Sequence, residues 1–180
     1  MAKYKGSGIE VIRALVKARG PEFERRFLER LSPQGRELFQ HALAVSWIDF
    51  KDDPGDIPVG ADMLFPGDPE RIAKFGRLAA REAMSGIYKV FLRIPTKAYI
   101  IKRIAVLWRT NFDTGTAGVE NIRNGQADFV IRDFPEFPEY QLDFLGGYIA
   151  GMLELTGSPN PQVVITDRNP QAWRFQITWD

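Results

Sequence analysis

Hydrophobic positions in the first third of the chain recur at helical spacing. Ile9, Ile12, Leu15 and Val16 predict a helix over residues 8–19. Gly20-Pro21 ends that run, and residues 21–31 read as a second short helix with Phe23, Phe27, Leu28 and Leu31 along one side. Ser32 supplies a capping hydroxyl and Pro33 sits at the first helical position, which starts a third helix to about Ala44. Its apolar face is Leu38, Phe39, Ala42 and Leu43. After Trp47, Ile48 and Phe50 the periodicity stops. Prolines at 54, 58, 66 and 69 and glycines at 55, 60 and 67 exclude a long regular element, leaving a functional loop or one that hides a short helical turn. Asp68-Pro69-Glu70 opens the next helix, with Ile72, Phe75, Leu78 and Ala79 inward and Arg71, Lys74, Arg77 and Arg81 outward. Gly86 marks a weak point or a contact near its end. Ile94-Pro95 breaks the helical phase, and Thr96 caps a further helix to about Thr110 whose apolar side is Tyr99, Ile100, Ile104, Leu107 and Trp108.

The period then switches to two. Asn124-Gly125 between two alternating runs predicts a hairpin with a type I′ turn, both turn residues at positive φ. In that register Ile122 faces Ala127, Phe129 and Ile131 share their side, and Val119 and Val130 point the other way. Phe134 to Pro138 is a rigid connector whose two phenylalanines read as a hydrophobic anchor rather than a docking knob. A last helix buries Leu142, Leu145, Ile149, Met152 and Leu153, and it carries Gly147 and Gly151 on one face and Gly146 and Ala150 on another. An interior glycine costs about 1 kcal/mol against alanine, so a strand backbone, a partner helix or a ligand must approach there; packing on a sheet is the expectation. In the final hairpin Trp173, Phe175, Ile177 and Trp179 point one way and Arg174, Gln176 and Thr178 the other, while Val163 and Ile165 share a face of the partner strand. The predicted class is α+β: N-terminal helices followed by helix–hairpin–helix–hairpin, with a small antiparallel sheet packed against helices. The 180 residues fit a single domain, 1–46 being the helical N-terminal part and 60–180 the core.

Composition narrows the chemistry. The chain is 44% hydrophobic and 12% aromatic, so it is no disordered segment. Charges nearly cancel, 24 Lys+Arg against 23 Asp+Glu, which gives no electrostatic case for nucleic acid or for an anionic membrane. The basic residues Arg93, Lys97, Lys102, Arg103 and Arg109 accordingly read as a solvated helix face. With no cysteine and one histidine, His41, disulfides, thiolate metal sites and cysteine nucleophiles are excluded and zinc has little to bind. Asp49, Asp52, Asp53 and Asp56 invite a calcium reading, but their spacing does not fit a helix–loop–helix calcium site, and a solvated turn is expected. No apolar run approaches the roughly 20 residues that span a bilayer, and the start lacks a signal-peptide core. The expectation is a cytoplasmic domain with no membrane association.

Specific residues carry a family resemblance. The run from Leu145 to Trp179, with Gly147, Tyr148, Gly151, Glu154 and Phe175 to Trp179 in place, resembles the C-terminal half of the 4-vinyl reductase domain. That domain belongs to the superfamily of the heme–nitric oxide sensors and the Golgi transport-particle subunits. The stretches MLFPGDPERIAKFGR and FLRIPTKAYIIKRIAVLWRTNF are also similar to a paralogous group of uncharacterised bacterial proteins. The resemblance covers roughly residues 60–180. It implies a helix-and-sheet domain that dimerises and holds a small or acyl-like molecule, or acts as a scaffold. The departures are instructive. The family's hairpin cysteines are missing, so no zinc site is expected there. The heme sensors use a proximal histidine and a Tyr-x-Ser-x-Arg motif, which this chain lacks, so no heme or other cofactor is expected.

Three function classes remain open. A non-enzymatic sensory domain in bacterial signalling would hold a small hydrophobic or aromatic ligand in an apolar pocket, with Tyr99, Trp108, Phe129, Tyr148, Met152 and Phe175 as its contacts. An assembly module would homodimerise through the N-terminal helices without a ligand. An enzyme would need paired acid–base groups such as Asp113 or Glu120 with Arg109, and nothing in the sequence selects them. The reading adopted is the sensory one, with no catalytic residues and no metal.

Overall fold

A computed structural model describes residues 1–85 and 97–180. The readings placed on Gly86, Arg93, Ile94-Pro95 and Thr96, and the side chain of Ile100, lie outside the described residues. The N-terminal helices form where local periodicity puts them: α1 (Ser7–Lys17), α2 (Pro21–Arg30) and α3 (Pro33–His41). The Ser32 hydroxyl accepts from the Gly35 N–H at 3.0 Å, the expected cap. α3 ends sooner than predicted, because Ala42 leaves helical geometry (φ −58°, ψ 130°), and Leu43 is exposed.

Two strands were not expected, and a helix of nine residues stands where a loop or a short helical turn was read. β1 (Lys3–Lys5) pairs antiparallel with β2 (Trp47–Asp49), bringing Tyr4 opposite Ile48. After a single 3₁₀ turn at Phe50–Asp52, the proline- and glycine-rich stretch forms the helix α4 (Asp56–Leu64). Pro58 falls in its first turn, where backbone N–H groups have no intrahelical partner, so the proline removes nothing. Gly60 is needed for packing: a Cβ there would lie 2.5 Å from the ring of Phe75.

α5 (Arg71–Ser85) follows a turn in which the Glu70 N–H donates to Asp68 Oδ1 at 2.8 Å. Then come α6 (Lys97–Asn111), β3 (Thr116–Arg123), β4 (Gln126–Arg132), α7 (Glu139–Leu155), β5 (Gln162–Asp167) and β6 (Ala172–Thr178). The four later strands form one antiparallel sheet in the order β3-β4-β6-β5. The α+β class and the order of elements in this half agree with the sequence pattern.

The first hairpin departs from prediction in register. Arg123 pairs with Gln126 around Asn124-Gly125, but only Gly125 of those two takes a positive φ, 75°. A bulge between Glu120 and Arg123, with Asn121 at φ 50°, then shifts the pairing by one residue. Val119 therefore lies opposite Phe129, on the core side, and not with Val130. The Asn121 side-chain amide donates to Asp128 Oδ2 at 2.7 Å and holds the bulge.

Buried side chains form two cores. One lies under the sheet and holds Trp108, Phe129, Phe134, Phe137, Leu142 and Phe175. The connector phenylalanines Phe134 and Phe137 are thus anchors. The other core lies among the N-terminal helices, α4 and α5, around Ile12, Val16, Phe27, Phe39 and Phe75. Phe50 and Phe112 pack against both.

The glycines of α7 meet a helix and not the sheet. A Cβ on Gly147 would stand 1.9 Å from the Ala73 carbonyl oxygen of α5, and one on Gly76 of α5 would stand 2.1 Å from the Phe144 carbonyl oxygen. A Cβ on Gly151 would stand 2.9 Å from both Ala80 Cβ and the Arg77 carbonyl oxygen. Glu154 closes the seam through Arg77 (3.2 Å) and Arg81 (3.1 Å). Gly146 alone of the α7 glycines turns to the sheet, where an added Cβ would meet Val163 and Phe175 at 3.7 and 3.8 Å. Gly147→Ala is expected to destabilise by at least about 2 kcal/mol, since helix backbone must move. Gly146→Ala is expected to be neutral or to stabilise by up to about 1 kcal/mol. Urea denaturation of both variants checks the pair; equal effects would contradict the seam.

Candidate functional site

The six residues singled out from the sequence fall in different surroundings. Trp108, Phe129 and Phe175 lie together in the core under the sheet. Phe129 and Phe175 meet edge-to-face at 5.9 Å, on paired positions of β4 and β6. Trp108 stacks on Phe112 at 4.2 Å and donates its indole N–H to the Thr114 carbonyl at 3.1 Å. Tyr148 is half-buried beside Phe144 and packs on the N-terminal core. Met152 is half-buried on α7, and Tyr99 is 50% exposed on α6. Of the groups considered for acid–base work, Glu120 is held by Arg132 and by Arg174 (3.1 Å), not by Arg109. Asp113 accepts from the Lys3 N–H at 2.7 Å and the Thr114 hydroxyl at 2.8 Å.

Among the described residues, two open clefts border the cores. One, of about 420 Å³, runs between the start of α5, α7 and β5, with Ile72, Ala73, Gly146 and Val163 as its apolar wall. Arg168 crosses its rim to Asp143 (2.8 Å) and Glu139 (3.2 Å). The other, of about 320 Å³, lies between α6 and β3 and is lined by Ala105, Val106, Arg109, Thr116 and Ala117.

Sequence reasoning missed one polar cluster. Asp53 and Asp56 were expected in a solvated turn, but Asp56 is only 3% exposed. The reason is the helix α4: once Asp56 opens it beside Ile57, the carboxyl turns inward among β1, α1 and α7. Asp56 Oδ1 accepts from the Ile57 N–H at 3.0 Å and Asp53 Oδ1 from the Gly55 N–H at 2.8 Å. Burial pushes the Asp56 carboxyl well above the usual range, and the neighbouring Asp53 adds to the shift. Burial also raises Asp53, against the Gly55 N–H and the nearby hydroxyls of Tyr4 and Tyr140. Both phenols are themselves raised, by burial first and then by Asp53. The Tyr4 hydroxyl is buried and makes no hydrogen bond of normal geometry among the described residues. Arg13 offers the nearby cation, but its N–H groups are engaged by the carbonyls of Phe39 (2.6 Å) and Ala42 (3.0 Å). Among the described residues, no three His, Cys, Asp or Glu side chains gather where a metal ion could sit.

No family model and no curated protein matches the chain. Solved structures do match it from end to end. An H-NOX (heme–nitric oxide/oxygen) protein from S. oneidensis, in an Fe(II)NO ligation state, is 12% identical with a TM-score of 0.68, covering 98% of this chain and 99% of that one. An Fe(II) unliganded H-NOX protein from K. algicida is 10% identical with a TM-score of 0.64, covering 98% and 96%. An oxygen-binding H-NOX domain related to soluble guanylate cyclases is 11% identical with a TM-score of 0.60, covering 97% and 92%. The fold is therefore that of the H-NOX domains.

A heme held through a histidine does not fit this chain. His41 is its one imidazole. That side chain is 69% exposed at the end of α3, with Nε2 3.7 Å from Glu37 one turn away. Cysteine, the other strong axial donor, is absent from the sequence.

The buried acid gives a pH prediction with a definite sign. Because the folded-state affinity of Asp56 for a proton exceeds the unfolded one, its contribution is fully present below the unfolded value, about 3.9, and is lost as pH rises through the folded value. Asp56→Asn is therefore expected to gain stability relative to wild type as pH increases from about 4 to about 8. Denaturation midpoints across that range check it; a constant difference would show that Asp56 is not a buried neutral acid.

Proposed function

We propose that this chain is a non-enzymatic sensory domain that binds a small molecule without heme and acts in bacterial signalling. The observation that carries the reading is the end-to-end likeness to H-NOX sensors, 98% of this chain against 99% of the S. oneidensis chain, in a sequence whose sole histidine is solvent-exposed. An apolar ligand has a surface to meet. Ala105 and Ala117, which line the α6–β3 cleft, pack on the core that contains Trp108, Phe129 and Phe175. Tyr148, packed on the N-terminal core, and the exposed Tyr99 lie away from that cleft, so the proposed contacts reduce to the group around Trp108, Phe129 and Phe175.

A second reading, homodimerisation, is favoured by one surface. Leu43, Val45 and Trp47 are exposed by 64%, 76% and 42% within five residues of chain. Lys5 Nζ covers part of the Trp47 ring at 4.1 Å. Association through this surface predicts that Val45→Glu shifts the mass seen by light scattering from dimer to monomer.

Native mass spectrometry of the purified protein tests the first reading. The expected result is a small-molecule adduct retained under gentle conditions and lost on denaturing. Repeated preparations with no adduct, from cells grown in several media, would count against it. Hemin added to the wild type and to His41→Ala is expected to give the same absorption spectrum; a sharp Soret band lost only in the variant would restore a histidine-bound heme.

A further inference from the structure

The α6–β3 cleft joins an apolar floor to a single cation. Its floor is Ala105 and Ala117, both packed on the core under the sheet. Its rim is Val106, 63% exposed, with Thr116 and Arg109. Ala105 and Arg109 are four apart on α6 and so share a face. Several arginines of the fold are held by acids: Arg25 by Glu22, Arg71 by Asp62, Arg77 and Arg81 by Glu154, Arg168 by Asp143, Arg174 by Glu120. Arg109 makes no ion pair or hydrogen bond among the described residues, and residues 86–96 contain no Asp or Glu that could supply one. Nearby acids are already engaged, Asp113 by the Lys3 N–H and Glu120 by two arginines.

We infer that this cleft binds a small carboxylate with a short apolar body. The carboxylate lies on the Arg109 guanidinium, which offers a planar pair of donors, with the Thr116 hydroxyl as a further donor. The apolar body lies against Ala105, Val106 and Ala117. The volume of about 320 Å³ is at the lower end of small-molecule pockets, which run from about 300 to 1,000 Å³. One cation in the lining suits a monoanion better than a phosphate ester. The floor alanines and Trp108, fixed by its bond to the Thr114 carbonyl two residues before Thr116, connect an occupied cleft to the sheet core. The inference rests on the ligand-binding reading and deepens it.

Titration of the ¹⁵N-labelled protein with sodium hexanoate, followed by amide shifts, tests it, with hexanol and hexylammonium as controls. Hexanoate is expected to move the amides of Ala105, Val106, Arg109, Thr116 and Ala117 to saturation, hexanol more weakly, and hexylammonium not at all. Arg109→Gln, a change on an exposed side chain, is expected to weaken hexanoate at least about tenfold while leaving the spectrum dispersed. Val106→Trp is expected to abolish the shifts by filling the cleft. Equal affinity for hexanoate and hexanol, an unchanged affinity in Arg109→Gln, or no saturable shifts would overturn the assignment. Saturable shifts centred on the α5–α7–β5 cleft would overturn it too, while leaving the ligand-binding reading intact. A retained adduct in mass spectrometry without hexanoate binding would likewise separate the two.

Discussion

The contact that the rest of the molecule depends on is the backbone-to-backbone seam between α5 and α7. Gly76, Gly147 and Gly151 bring peptide groups of one helix against the other, leaving no room for a Cβ at Gly76 or Gly147. Such an approach is unavailable to helices with larger side chains at the crossing, which keeps interaxial distances at about 8–10 Å. The penalty of glycine in a helix interior is offset by the packing of both helices into the cores on either side. α7 in particular shows Leu142, Ile149 and Leu153 to the sheet and Tyr140, Phe144 and Tyr148 to the N-terminal helices. One helix thus serves two cores, and the seam fixes its position.

The cores are joined a second time by aromatic rings. Tyr4 meets Phe50 at 4.9 Å, Phe50 runs parallel to Phe112 at 6.3 Å, and Phe112 stacks on Trp108. Asp53 and Asp56 sit beside this junction, near Tyr4 from β1 and Tyr140 from α7. A carboxyl pair, Asp56 buried and Asp53 half-buried, between elements so far apart in sequence ties its own protonation to the fit of the N-terminal part on α7. Loss of its proton would place charge in an apolar junction, which is costly without a full set of donors.

The fold likeness and the chemistry point in different directions, and each has its own physical basis. Fold follows from packing and topology, which 10–12% identity preserves over nearly the whole chain. Cofactor chemistry follows from single donor atoms at fixed places. In this chain the only imidazole is in water at the end of α3, so likeness of fold brings no histidine ligand with it. What remains is apolar surface beneath the sheet and clefts that lead to it.

Much of this was legible from sequence because it is local. Helical spacing located α1, α2, α3, α5, α6 and α7; alternation located β3 to β6; Asn124-Gly125 located the first turn; and the paired glycines of α7 announced a close approach. Tertiary structure decided what local pattern does not encode. The pairing of β1 with β2 joins residues more than forty apart through short strands with no alternation to read. The Asn121 bulge reversed the side of Val119 because the Asn121–Asp128 hydrogen bond competes with regular pairing. The partner of the α7 glycines was α5 and not the sheet, since one glycine face fits either. Asp56 reads as a surface acid until α4 forms and its neighbours from β1, α1 and α7 arrive, because burial is a property of the assembled elements and not of the segment.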